Sequence, residues 1–367
     1  MNNITVIGVG RLGLGLALLI EKAGYNVCGV DISPEYVNKL NDKVYKTKEP
    51  EYESLLQNSK NFKATTNLEE GLNFSDLIFI VVQTPNSGGD KFYDHTILSN
   101  VLCKINSYNV MNKDIIIGCT VMPTYINEIG SFLLSSCTNT TLNYNPEFIA
   151  QGAIISGFKN PDIILIGTNS LTLGDKLKQI YSNFVLTNPT YCILTPLEAE
   201  IVKISINGFI TTKLSFANML SDVCDSVGAS KEKVLNAVGK DSRIGSKYFH
   251  PGYSFGGPCF PRDTKALKQF VDKTNICSDL LVSTTKFNNE HILFQAKQLL
   301  DENLEEYTFE NICYKEDSKI PIIEESAKLK IAHLLYRSNK KVIIKDEIQL
   351  IDEVKKEYGN IFTYVVV

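Results

Sequence analysis

One cysteine of the nine is set apart by its neighbours, Gly256-Gly257-Pro258-Cys259-Phe260-Pro261-Arg262-Asp263. A thiolate is a strong nucleophile, and the glycines before it remove side chains that would keep a substrate at a distance. Lys203 and Asn207 stand four residues apart in an unbroken helical pattern, so both lie on one helix face. Gly8-Val9-Gly10-Arg11-Leu12-Gly13 is a G-x-G-x-x-G that directly follows an apolar run and opens a helical pattern. Asp31 closes a second apolar run 23 residues after Gly8. Such glycines allow a tight turn and bring a pyrophosphate close to the N-terminus of a helix, where free N–H groups and the dipole favour negative charge. An acid at Asp31 binds a ribose 2′-hydroxyl and repels a 2′-phosphate, which selects NAD over NADP.

Together these residues fit a two-stage oxidation. Taking an alcohol to an acid removes hydride twice, and the second hydride leaves an aldehyde only after a nucleophile has added to it. Addition of Cys259 would give a thiohemiacetal, then a thioester that water releases. The eight other cysteines (28, 103, 119, 137, 192, 224, 277, 313) are scattered singly with no CxxC pair, which argues against a zinc site and a disulfide framework and reads as small core residues in a reducing compartment.

The elements that must position these groups follow from periodicity. Ile4–Ile7, Val27–Val30, Leu77–Val82, Ile115–Gly118 and Ile163–Ile166 read as buried strands, and Leu12–Ala23 as a helix capped by Gly24. Strand–helix–strand alternation predicts a doubly wound parallel sheet over 1–195. Gln83-Thr84-Pro85 and Cys119-Thr120 then fall at the carboxyl ends of strands, where ligands bind in such folds; either threonine could offer its hydroxyl there. Pro196 to Val227 forms one long helical pattern, roughly 48 Å at about 1.5 Å per residue, which suits a connector or a dimer spine. A shorter helix at Ser230–Val238, a Gly- and aromatic-rich loop to Cys259, and helical patterning from Asp263 to about Leu300 complete a central domain, 196–300. The acidic stretch Asp301–Glu306 reads as a solvated boundary. Beyond it, Asn311–Tyr314, Glu324–Arg337, Val342–Lys345, Leu350–Glu357 and Ile361–Val367 read as strand, helix, strand, helix and strand in a third domain, 301–367.

A net charge of −4 exerts no general pull on nucleic acid or membrane. No apolar run reaches 18 residues, and Met1-Asn2-Asn3 leads into Ile4 without the basic segment of a secretory signal, so a cytoplasmic protein is expected.

Asn145-Pro146-Glu147-Phe148-Ile149-Ala150-Gln151-Gly152, the Lys203…Asn207 helix and the Cys259 block stand in order behind the dinucleotide motif. With Glu49-Pro50-Glu51-Tyr52-Glu53 and Asp241-Ser242-Arg243-Ile244-Gly245, the chain resembles the UDP-glucose dehydrogenase branch of the UDP-glucose/GDP-mannose dehydrogenase family. The resemblance spans about residues 2 to 295 and continues more weakly to the end. It implies a UDP-sugar acid as product, two NAD per substrate, no metal, and a homodimer through the central helix. It also implies roles. Lys203 stabilises the developing alkoxide, assisted by Asn207, Asp263 and an ordered water; Thr120 places that water network; Glu147 serves thioester hydrolysis. Gly8, Gly10, Arg11, Leu12, Gly13, Asp31, Thr84, Thr120 and Arg262 face the cofactor. Glu147, Phe148, Ile149, Lys203, Asn207, Tyr248, Phe249 and Gly256 face the sugar nucleotide, and Arg243 reaches the sugar across a dimer interface.

Several positions depart from the family pattern. Arg11 replaces an aromatic residue and could meet a cofactor phosphate, Gln151 replaces glutamate, Met219 differs after Asn218, and Arg262 replaces lysine. Ile312-Cys313-Tyr314-Lys315 and Glu325-Ser326-Ala327 resemble the FK…ESP segment of the nucleotide half-site. The usual arginine before ESP is absent, with Ser318-Lys319-Ile320-Pro321 in that stretch, and the third domain is about half the usual length. Three alternatives remain at this level. The same chemistry could act on another nucleotide sugar, a UDP-N-acetylhexosamine or GDP-mannose. A two-electron dehydrogenase of the 3-hydroxyacid type would use Lys203 and Asn207 without needing Cys259 or Glu147. A nucleotide-sugar-binding protein would need none of the catalytic set.

Overall fold

The computed structural model describes residues 3–149, 151–315 and 320–367. The first half forms short strands, β1 (Asn3–Ile7), β2 (Asn26–Val30), β3 (Phe62–Thr65), β4 (Leu77–Ile80), β5 (Asp114–Ile117), β6 (Thr141–Tyr144), β7 (Ile163–Gly167) and β8 (Thr190–Leu194), of which β1, β2, β4, β5 and β7 are the most deeply buried. Among the described residues they form one sheet in the order β3-β2-β1-β4-β5-β6-β7-β8. Neighbours pair in parallel except β6 and β7, which meet antiparallel at Tyr144 and Gly167. Chain order reverses between β1 and β4, and that switch point is where a doubly wound sheet opens a crevice at its carboxyl edge. Two apolar layers cover the sheet. One centres on Leu14, Leu18, Phe79, Ile116 and Ile166, the other on Ile78, Ile80, Leu102, Ile115 and Leu165, all nearly inaccessible.

The chain divides into two compact units, Met1–Lys203 and Ile204–Val367. The predicted long helix is present at Pro196–Val227, with its proline in the first turn where no N–H is needed; it starts in the first unit and runs on in the second. The second unit adds helices Lys231–Gly239, Phe260–Lys273 and Asp279–Asp301. It also holds a parallel sheet of β9 (Glu306–Glu310), β10 (Lys341–Asp346) and β11 (Thr363–Val366), ordered β11-β10-β9. Helices Ala327–Arg337 and Ile348–Tyr358 connect these strands. Phe309, Ile331, Leu335, Ile344 and Val354 form their common core.

One sequence expectation needs correction. The strand expected at Asn311–Tyr314 lies earlier, at Glu306–Glu310, where Tyr307 and Phe309 alternate inward between exposed glutamates and threonine. Asn311 then takes a left-handed φ of 51° and ends the strand. Helical patterning from Asp263 to Leu300 is two helices, broken after Lys273 where Asn275 takes a φ of 58°. Ser318 and Lys319, which occupy the stretch before the ESA segment, lie outside the described residues. No described helix is long and apolar enough to cross a membrane.

Candidate active site

The glycine-rich turn follows β1 at the switch point. Gly8 takes a φ of +85°, and a Cβ there would sit 2.6 Å from the Val81 carbonyl oxygen; a Cβ on Gly13 would sit 2.0 Å from the Gly8 carbonyl. Those glycines let strand, turn and helix touch. Gly10 is different: nothing lies within 4 Å of where its Cβ would be, which is the open approach a pyrophosphate requires. No acidic residue occupies the first turn of the helix Arg11–Lys22 to oppose an anion. Tyr36 donates to the Val9 carbonyl at 2.8 Å and Tyr52 to the Arg11 carbonyl at 2.5 Å, so two tyrosines brace the turn from behind. Asp31, just past β2, accepts from the Ser33 N–H at 3.2 Å with one carboxylate oxygen, leaving its carboxylate placed for a ribose hydroxyl. This arrangement fits a turn that receives NAD.

Past β4 and β5, Thr84 donates its hydroxyl proton to the Thr120 carbonyl at 2.9 Å. The two strand ends are thereby tied, and Thr84 offers a ligand only its lone pairs. Thr120 is half-buried beside it.

Arg11 and Gln151, separate departures in the sequence, meet in space: Arg11 Nη1 donates to Gln151 Oε1 at 2.6 Å. A neutral amide holds the guanidinium in place without neutralising it. The adjoining loop is fixed by Glu49, only 4% exposed, whose carboxylate accepts from the Gly152 N–H at 2.7 Å. The Glu49–Glu53 block therefore supports the turn through Tyr52 and the loop at Gly152 through Glu49.

Glu147 follows β6 and is largely shielded. Burial pushes its carboxyl up to about 7, against the lowering effects of the Tyr181 hydroxyl and the Lys203 charge. Lys203, 7% exposed, donates to the Glu147 backbone carbonyl and lies 4.4 Å from the Phe148 ring centre. A buried ammonium held by a carbonyl dipole and an aromatic face is a preorganised cation. Ile149 packs against Gly157, where a Cβ would come within 2.8 Å of it.

In the second unit Cys259 is exposed and occupies the N-cap of the helix Phe260–Lys273, a position that favours negative charge on sulfur. Asp263, 1% exposed, donates its N–H to the Cys259 carbonyl at 2.8 Å and accepts at Oδ2 from Asn207 Nδ2 at 2.5 Å. A turn onward, the Thr211 and Thr264 hydroxyls pair at 2.8 Å and fix the same two helices in register. Gly256 and Gly257 are needed here, since a Cβ would come 2.1 Å from the Glu325 carbonyl oxygen and 2.3 Å from the Tyr314 ring, respectively. Tyr314 thus packs on the cysteine loop, and burial, then the nearby Cys259, raise its phenol above the ordinary value. Arg262 is half-buried on the same helix.

The remaining expected substrate residues are less uniform. Tyr248 is 45% exposed with a left-handed φ of 57°, edge-on to Phe260 at 6.3 Å. Phe249 is 4% exposed in a small core with Ala217 and Leu235, so its side chain supports the loop rather than its surface. Arg243 is exposed and forked onto Asp241, at 3.0 Å from Nε and 2.8 Å from Nη2. Tyr36 and Tyr181 went unread in the sequence, each in an amphipathic pattern that describes an ordinary core tyrosine equally well, and Tyr52 was read only as part of the Glu49–Glu53 block.

Residues 2–185 match the NAD binding domain of the UDP-glucose/GDP-mannose dehydrogenase family, and residues 197–290 match its central domain. UDP-glucose 6-dehydrogenase of Rickettsia bellii is 31% identical over 310 residues, covering 82% of this chain and 71% of that protein. The structure of a UDP-glucose dehydrogenase from the hyperthermophilic archaeon Pyrobaculum islandicum aligns with a TM-score of 0.87 at 26% identity, over 100% of this chain and 86% of that one. A UDP-D-ManNAc dehydrogenase from Pyrococcus horikoshii, 23% identical, shares the fold with a TM-score of 0.79 over 94% of this chain and 83% of that one.

Proposed function

The chain belongs to the UDP-glucose/GDP-mannose dehydrogenase family of NAD-dependent oxidoreductases, and from that premise we propose that it oxidises the C6 alcohol of UDP-glucose to UDP-glucuronate through a thioester on Cys259. The observation that carries the covalent, four-electron reading is the cysteine itself: exposed, at a helix N-terminus, one turn before a buried Asp263 bonded to Asn207. A two-electron alcohol oxidation has no use for that nucleophile.

NAD supplies the hydride acceptor for both oxidations. The C6 hydroxyl gives its proton to an ordered water assisted by Asn207 and Asp263, and Lys203 stabilises the resulting alkoxide; a good preorganised donor of this kind contributes roughly 3–4 kcal/mol. The Cys259 thiolate then adds to the aldehyde carbon. The carbon–oxygen π pair moves to oxygen, where the Lys203 charge and the Asn207–Asp263 pair hold the adduct. Loss of the second hydride leaves the thioester. Glu147, poised near neutrality by burial, takes a proton from water as that water attacks the acyl carbon; the carbon–sulfur bond breaks and the thiolate returns. Gly256, Phe148 and Ile149 shape the sugar side, Tyr248 and Phe249 form and support the adjacent loop, and Arg262 and Thr120 serve the cofactor side.

The domain division 1–195, 196–300 and 301–367 suits these tasks as cofactor, nucleophile and nucleotide parts. We also propose a homodimer through the long helix. Phe209, Phe216 and Val223 recur every seven residues and are 69%, 49% and 52% exposed, a seam suited to a second copy of the helix. Arg243 would then serve the partner's sugar. Sedimentation at micromolar concentration should report a dimer, and a wild-type monomer there would overturn the pairing.

The deciding experiment is NADH formed per UDP-glucose consumed, with the product identified by mass. Two NADH and UDP-glucuronate are expected. One NADH would make the enzyme a simple alcohol dehydrogenase, and turnover with only another nucleotide sugar would transfer the same chemistry to that substrate.

A further inference from the structure

Behind Glu147 lie two oxygen atoms, the Tyr181 hydroxyl and Asn145 Oδ1, that the mechanism above does not use. Tyr181, on the helix Leu171–Ser182, places its hydroxyl oxygen 2.6 Å from Asn145 Oδ1 and 2.7 Å from Glu147 Oε1. Tyr181 and Asn145 are each 2% exposed. The amide orientation of Asn145 is fixed, because its Nδ2 donates to the Leu165 carbonyl at 2.8 Å, and its backbone N–H donates to the Ile117 carbonyl at 2.8 Å. Oδ1 therefore faces Tyr181 as a pure acceptor.

Two oxygen–oxygen gaps need two protons, and a phenol has one. Burial holds the Tyr181 phenol well above its ordinary value, so it keeps that proton. When Glu147 is neutral, both gaps are filled: the carboxyl donates to Tyr181, which donates to Asn145. When Glu147 is ionised, the hydroxyl must turn and donate to the carboxylate, leaving the Asn145 acceptor without its donor. We propose that Tyr181, held by Asn145, is the positioning residue for Glu147: it orients the carboxyl group in both protonation states and sets which of them the site prefers. The proposal rests on the reading of Glu147 as general base and deepens it. Apart from Tyr181, the charged group that acts on this carboxyl is Lys203, which favours the ionised form. Asn145 works in the opposite direction, because it competes for the only proton that could stabilise the carboxylate from behind.

This arrangement makes two substitutions act with opposite sign. Tyr181→Phe removes a donor to the carboxylate and an acceptor for the neutral acid. Bonds to a charged group are roughly twice as strong as neutral ones, so ionisation becomes harder. Asn145→Leu removes the competitor while nearly keeping the volume, and ionisation becomes easier.

The test is an infrared titration of the carboxylic C=O band assigned to Glu147 by its loss in Glu147→Gln. It is run beside the pH dependence of NADH formation at saturating substrate, on the full chain. The Tyr181→Phe midpoint should rise by roughly one pH unit, and the Asn145→Leu midpoint should fall by a similar amount. A role in packing alone would lower thermal stability in both and move neither midpoint. An unchanged infrared midpoint in a folded Tyr181→Phe protein overturns the proposal, and if that variant does not fold, an unchanged midpoint in Asn145→Leu does so. If the infrared midpoints move in opposite directions while the rate profiles stay fixed, Tyr181 keeps its role and the general-base reading of Glu147 falls.

Discussion

Cys259→Ser is expected to abolish net formation of the sugar acid, by roughly 10³-fold or more, while NAD and the sugar nucleotide still bind. The change removes one property, the ease with which sulfur is deprotonated at neutral pH and adds to a carbonyl. A serine hydroxyl keeps the size and the position at the N-cap of Phe260–Lys273, where the backbone pattern does not depend on the side chain. The helix should therefore stay in place, with Asp263 still bonded to Asn207. Calorimetric titration with NAD should give a dissociation constant within a few-fold of wild type, and mass analysis should find no acid above background. Wild-type turnover in this variant would sink the thioester mechanism and leave Cys259 as a structural residue.

Glu147→Gln is the second large effect. Without a base to take the proton of the attacking water, the thioester should form and then persist. A single burst of two NADH per site is expected, then a steady rate lower by roughly 10²–10⁴-fold. Intact-protein mass spectrometry should show the acyl adduct on Cys259. The amide keeps the polar atom that faces Tyr181, so folding should be retained. In the wild-type protein the same group sets the pH dependence. Its carboxyl is raised to about 7, and only the ionised form accepts a proton. Hydrolysis should therefore be slow below that pH, rise through it, and level off above. A burst-free variant with normal turnover would remove Glu147 from the reaction.

Much of this machinery was legible because its chemistry and its periodicity coincide. The helix Pro196–Val227 announces itself through 32 residues of unbroken pattern after a proline, and Lys203 and Asn207 inherit their common face from it. The glycine motif could be read because strand, turn and helix follow one another within 20 residues. Other parts could not be read. Strand β3 is four residues long and only one of them is buried, so no run of apolar residues marked it. Glu306–Glu310 looked like the tail of an acidic boundary, because only Tyr307 and Phe309 face inward. Tyr181 acts on Glu147 from 34 residues away, and Arg11 meets Gln151 across 140. Partnerships of that separation depend on the sheet order, which local spacing does not encode.

The block Glu49–Glu53 also bears on how such a protein can be redesigned. Tyr52 holds the glycine-rich turn at Arg11, Glu49 holds the opposite loop at Gly152, and Glu51 is ion-paired to Lys159 at 2.6 Å in the helix beyond that loop. Three residues within this five-residue block thus anchor the glycine-rich turn, the loop at Gly152 and the helix Ile154–Lys159. The glycine-rich turn and the loop at Gly152 are not separable modules. A chimera that exchanges the glycine turn alone for one with another dinucleotide preference inherits a brace built for this backbone, and any mismatch at Tyr52 is felt at Glu49.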